Sequence, residues 1–66
     1  MTEFGKKCRH AKLTAYRISK DTGVNVVTVA NWMKGSVRAK LSDNLLTVLS
    51  YCRQRGVDVG MEDLVW

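Results

Sequence analysis

The sequence predicts an all-α fold of five helices in one domain over residues 1–66. Three observations predict it. The chain has no proline and few alternating apolar–polar runs. Capping and stop residues punctuate it at helical intervals. Between Thr14 and Lys34, two short helices fold on each other around a single glycine, Gly23.

The first helix runs over about Thr2–Ala11, with Thr2 as its cap and Phe4, Cys8 and Ala11 inward. The second runs over about Ala15–Thr22 and is capped by Thr14. In it Ile18 and Thr22, four apart, share the core-facing stripe. Gly23 then sits where the chain must turn sharply, a place where a positive φ costs a glycine little. Ser19 lies at the expected closest approach of the two helices, where a small side chain fits.

The third helix runs over about Val26–Lys34, with Asn25 as cap and Gly35 as stop. The stretch VNVVTV at 24–29 is β-branched and has the weakest helix propensity in the chain. It lies between the turn glycine and ANWMKG, so helix is expected, with Val24, Val29 and Trp32 buried. The fourth helix runs over about Ser42–Arg55. Ser42 caps it, Asp43 suits the positive end of its dipole, and Gly56 ends it. Leu45, Leu46, Leu49 and Cys52 keep helical spacing, with Val48 beside them. A short fifth helix is expected over about Met61–Val65, with Met61 and Leu64 inward. The expected core is Phe4, Cys8, Leu13, Ile18, Val24, Val29, Trp32, Leu41, Leu45, Leu49, Val57 and Leu64.

Charge and composition narrow the function. Net charge is +5, and residues 1–40 hold nine Lys/Arg against two Asp/Glu, whereas residues 41–66 hold two against four. A basic N-terminal part joined to a bihelical unit points to a polyanion, and specifically to nucleic acid. No apolar run spans a membrane, and the polar, basic start shows no secretory signal. Cys8 and Cys52 lack metal-ligand spacing and His10 is alone, so two reduced thiols in a cytoplasmic protein are expected, with no metal or cofactor. An enzyme is not expected: there is one histidine, no paired carboxylate at catalytic spacing and no phosphate-cradling glycine loop. Asp58, Glu62 and Asp63 read as surface charge.

The run LTAYRISKDTGVNVVTVANWMKG, then a basic loop, a Leu-rich helix and a GVDV…EDLV tail, resembles the lambda-repressor/Cro-like (XRE-type) helix-turn-helix family over nearly the whole chain. Ser19 stands where that family usually has alanine, Ala15 and Val26 where it often has Gln or Ser, and Lys7 where an apolar residue is common. The resemblance implies that Ala15 opens the first helix of the motif and that Val26–Lys34 is the recognition helix. It also implies a sequence-specific transcription regulator of double-stranded DNA, a small phage or prophage Cro-like repressor acting by operator occlusion in the bacterial nucleoid or an infected host's cytoplasm.

On a helix entering the major groove by its N-terminal end, Val26, Val27, Thr28 and Asn31 reach base edges. Asn31 can pair bidentately with adenine, and Val27 can meet a thymine methyl, so A·T pairs are expected opposite. Phosphate contacts are expected from Thr14, the Ala15 amide, Asn25 and Thr28, and from Arg17, Lys20, Lys34, Arg38 and Lys40. Lys6, Lys7, Arg9 and Lys12 are expected to form a solvated face, and Trp32 to be core rather than a stacking platform. A weak homodimer on a palindromic operator is expected, through Val57, Val59, Met61, Val65 and Trp66, with no small-molecule ligand. The competing reading is a protein-interaction module, such as an antitoxin or anti-repressor that retains the fold; the valine-rich 24–29 run, poor in polar base readers, supports it.

Overall fold

The computed structural model describes residues 2–35 and 42–64. Among these it is all-helical: α1 (Glu3–His10), α2 (Ala15–Thr22), α3 (Val26–Lys34), α4 (Asp43–Gln54) and a single 3₁₀ turn at Met61–Asp63. The expected fifth helix is therefore that one turn. No helix among the described residues is long and apolar enough to cross a membrane.

Each helix starts where a short polar side chain can replace a missing intrahelical partner. Thr2, Thr14 and Ser42 accept from the backbone N–H three residues on, at 3.0, 3.1 and 3.2 Å, and Asn25 accepts from Val27 N at 2.8 Å. Thr2 also ties α1 to α3: its hydroxyl donates to the Trp32 carbonyl at 2.9 Å, and its N–H donates to the Met33 carbonyl at 3.1 Å. It is a cap outside α1, so the helix begins at Glu3.

Gly23 closes α2 at φ +80°, with its N–H donating to the Ser19 carbonyl at 2.8 Å. A Cβ there would meet nothing within 4 Å, so only the backbone conformation demands glycine. Gly23→Ala is accordingly expected to cost about 1–2 kcal/mol through left-handed strain alone. A urea melt followed by circular dichroism checks this, and an unchanged midpoint would contradict it.

The core lies between the four helices and the tail. Phe4, Cys8, Ile18, Val29, Leu45, Val48, Cys52 and Leu64 are fully buried, closed by Leu13, Val24, Trp32, Leu49, Val57 and Val59. Leu41 lies outside the described residues. Helix α2 packs most extensively on α3, and the other well-packed pairs are α1–α3 and α2–α4.

Three burial expectations are corrected. Ala11 is exposed, because it follows the end of α1 at the C-cap, where the chain turns through Lys12 at φ 62°. Leu46 is 49% exposed, and Val48 takes its place beside Leu45, Leu49 and Cys52 on the core face of α4. Val59, assigned to a dimer surface, is buried inside the chain's own core, as is Val57, which was expected both there and at that surface.

Polar contacts pull that tail inward. Lys7 Nζ donates to the Asp58 carbonyl at 2.8 Å and pairs with the Asp63 carboxylate at 3.2 Å. Arg53 Nε holds the Val59 carbonyl at 2.8 Å, and Asp63 Oδ2 accepts from Gly60 N at 2.9 Å. Asp63 is thus a tie for the tail rather than plain surface charge, and Lys7 is committed to it. With an apolar residue at position 7 this tie would be lost.

Candidate nucleic-acid interface

Helix α3 is built so that one side anchors and the other faces solvent. Val29 and Trp32, three apart, are buried, while Val26 is 40% and Val27 62% exposed. Thr28 and Asn31 are half-buried. Folding gains little from the exposed Val26 and Val27 side chains, which sit side by side in the first turn and are free to meet a partner. The β-branched first turn stays helical because Asn25 caps it from below and Val29 and Trp32 hold it to α2 and the core.

Asn25 thus has its side-chain oxygen engaged in the cap, so any phosphate contact from this residue would fall to its side-chain NH₂. Thr14 likewise uses its oxygen to accept from the Arg17 amide; its hydroxyl hydrogen remains a donor. Together with the Ala15 N-terminus of α2, it lies on a cleft of ≈ 360 Å³ between the end of α1, the start of α2 and α3. Leu13, Ala30 and Met33 line it, and Arg9, Lys12 and Lys34 bring three cations to it.

Two of those cations, Arg9 and Lys12, were expected only on a solvated face. The sequence signal for them was weak: both precede Thr14 by a few residues, but the turn through Lys12 is what carries them back beside α3. Tyr16 is a further residue that the sequence reading passed over. It is 69% exposed in the first turn of α2, two residues before buried Ile18 and so on the opposite side of that helix. Its off-stripe position was a usable signal.

Arg17 goes elsewhere. Its Nε pairs with Asp21 at 3.4 Å one turn along α2, and Asp21 also accepts from the Tyr51 hydroxyl and from Arg55 at 3.2 Å. The Arg55 guanidinium lies 5.2 Å from the Tyr51 ring centre. The Tyr51 hydroxyl, with Arg55 and Arg17 behind it, holds the Asp21 carboxyl below its ordinary range. Tyr51 and Arg55 thereby fasten α2 to α4 through Asp21, while Arg17 adds an exposed pair within α2. Lys20 and Lys34 are exposed. Arg38, Lys40, Val65 and Trp66 lie outside the described residues, as does the basic loop beyond Gly35. Of the expected dimer patch, Met61 is half-buried beside the core and Val57 and Val59 are within it. His10 is exposed, and no group of three His, Cys, Asp or Glu able to hold a metal occurs among the described residues.

The arrangement offers a short helix with a protruding apolar and amide edge beside a mostly apolar cleft that Arg9, Lys12 and Lys34 help to line, at a helix N-terminus. No protein-family model matches the chain, and neither does any curated protein or solved structure.

Proposed function

We propose that the chain is a sequence-specific double-stranded DNA-binding regulator of the lambda-repressor/Cro-like type, which represses by covering a promoter. The observation that carries this reading is α3: Val26 and Val27 stand out in solvent while Val29 and Trp32 of the same short helix are buried. A helix fixed from behind and bare in front fits a major groove about 12 Å wide.

In this reading Val27 meets a thymine methyl and Asn31 pairs with adenine. Thr14, the Ala15 amide, Arg9, Lys12 and Lys34 hold phosphates on the flank, with Lys20, Arg38 and Lys40 as further cations. Arg17, 59% exposed and held only by a surface pair to Asp21, remains a further phosphate candidate. Net charge of +5 supports long-range attraction to the duplex. Two chains bind a palindrome, one per half-site about one helical turn apart. Val57 and Val59 take no part in their contact, and Leu46, exposed on α4, is an apolar residue that can.

Selection of bound duplexes from a random pool tests this directly. The expected consensus is palindromic with A·T pairs at the centre of each half-site, and affinity falls by about 0.9 log units per log unit of salt for each phosphate neutralised. Failure to enrich any duplex over competitor would overturn the reading. It would favour the protein-interaction alternative, which the exposed Tyr16, Val26 and Val27 side chains also support.

A further inference from the structure

Cys8 and Cys52 are separated by 44 positions in the chain, yet their Sγ atoms lie 4.0 Å apart. Both side chains are fully buried and both are free thiols. One comes from the last turn of α1 and the other from the last turn of α4. Those helices are not among the extensively packed pairs, so a bond here would join two elements that are otherwise connected mainly through others.

We propose that Cys8 and Cys52 form a peroxide-sensitive dithiol that closes to an intramolecular disulfide, stapling α1 to α4. The sulfurs must approach by about 2 Å to reach the bond length of about 2.05 Å, a distance within reach of side-chain rotation and small helix shifts. Local opening of α1, only eight residues long, admits a small oxidant such as hydrogen peroxide.

Either thiol can donate its S–H to the other sulfur, and the sulfur that accepts ionises the more easily; with Cys8 as donor, that sulfur is Cys52. Its thiolate attacks one peroxide oxygen, the O–O bond breaks, and hydroxide leaves to take up a proton as water. Cys52 is then a sulfenic acid. The Cys8 sulfur attacks the Cys52 sulfur and displaces hydroxide, which takes the Cys8 proton as a second water. Two thiols and one hydrogen peroxide give one disulfide and two waters, each sulfur oxidised by one electron and the peroxide reduced by two.

The test treats the folded full-length chain with hydrogen peroxide, removes the peroxide with catalase, unfolds the chain in urea at neutral pH with N-ethylmaleimide already present, and weighs it intact. The expected product is a monomer two hydrogens lighter that takes no label, gives a Cys8–Cys52 peptide on mapping, and melts at least about 10 °C higher than the reduced chain. Cys8→Ala and Cys52→Ala each abolish both the mass loss and the melting shift. Should either variant fail to fold, the map of the wild-type monomer still decides the matter. Two labelled thiols after peroxide would overturn the proposal. So would a disulfide-linked dimer, an added oxygen mass as the end product, or a bond that forms only in denaturant.

Discussion

Val27→Glu is expected to abolish specific DNA binding, by about 100-fold or more, without lowering the stability of the chain. Val27 is 62% exposed, so its removal opens no cavity and unpairs no buried group. It lies in the first turn of α3, which carries no acidic residue. A carboxylate there meets the positive end of the helix dipole, and glutamate has a better helix propensity than β-branched valine. The fold therefore gains a little or stays level. In a major groove the same carboxylate faces base acceptors and two phosphate walls, and the methyl contact to thymine is gone.

Val27→Ala removes only that methyl contact and should cost about tenfold, with relaxed preference at one A·T pair. Thermal melts and mobility shifts on the selected duplex measure both quantities. Wild-type affinity in Val27→Glu would remove α3 from the interface. The pair of variants also separates groove recognition from mere charge attraction. A lysine-to-alanine change at Lys34 should instead weaken all duplexes alike and reduce the salt slope by about one unit.

The parts of this fold legible in the sequence are those fixed by neighbours along the chain. Thr14, Asn25 and Ser42 each cap from their own side chain to an amide two or three residues on, so residue type and position suffice. Gly23 and Gly35 mark their turns because positive φ is a local demand. The α2 and α3 limits follow directly, as does the outward aspect of Val26 and Val27, since Val29 and Trp32 fix the inward one.

Illegible were features that need two distant segments to meet. VDV at 57–59 reads as core at Val57 but as outer surface at Val59 until Lys7 and Arg53 grip the carbonyls of Asp58 and Val59 and draw the tail inward. The closeness of Cys8 and Cys52 depends on how α1 and α4 end, not on any spacing. Arg17 and Asp21 are four apart and so foreseeable as a pair, but Tyr51 and Arg55 reach Asp21 only through the α2–α4 packing. In the cleft beside α3, Arg9 and Lys12 join Thr14 and Lys34 only because the chain reverses at Lys12.

Trp32→Ala should have the largest effect on folding. Trp32 is the bulkiest core side chain, 6% exposed, on the stripe that holds α3 to the rest of the molecule. Large-to-alanine changes at buried aromatics cost about 3–5 kcal/mol, the lost transfer energy together with the cavity left behind. A chain of 66 residues has a total stability of about 3–10 kcal/mol at typical values per residue. The substitution thus removes from about a third of the stability to all of it. Its backbone carbonyl is also the acceptor of the Thr2 hydroxyl, so a slack α3 loosens the start of α1. The expected result is a broad, early urea transition by far-ultraviolet circular dichroism, with DNA binding lost in proportion to the unfolded fraction. Trp32→Phe, which keeps an aromatic ring in the core, should retain a cooperative transition and most of the affinity. That contrast distinguishes a core tryptophan from one that stacks on bases: a stacking role would leave the urea midpoint of Trp32→Ala where it was and lower affinity alone.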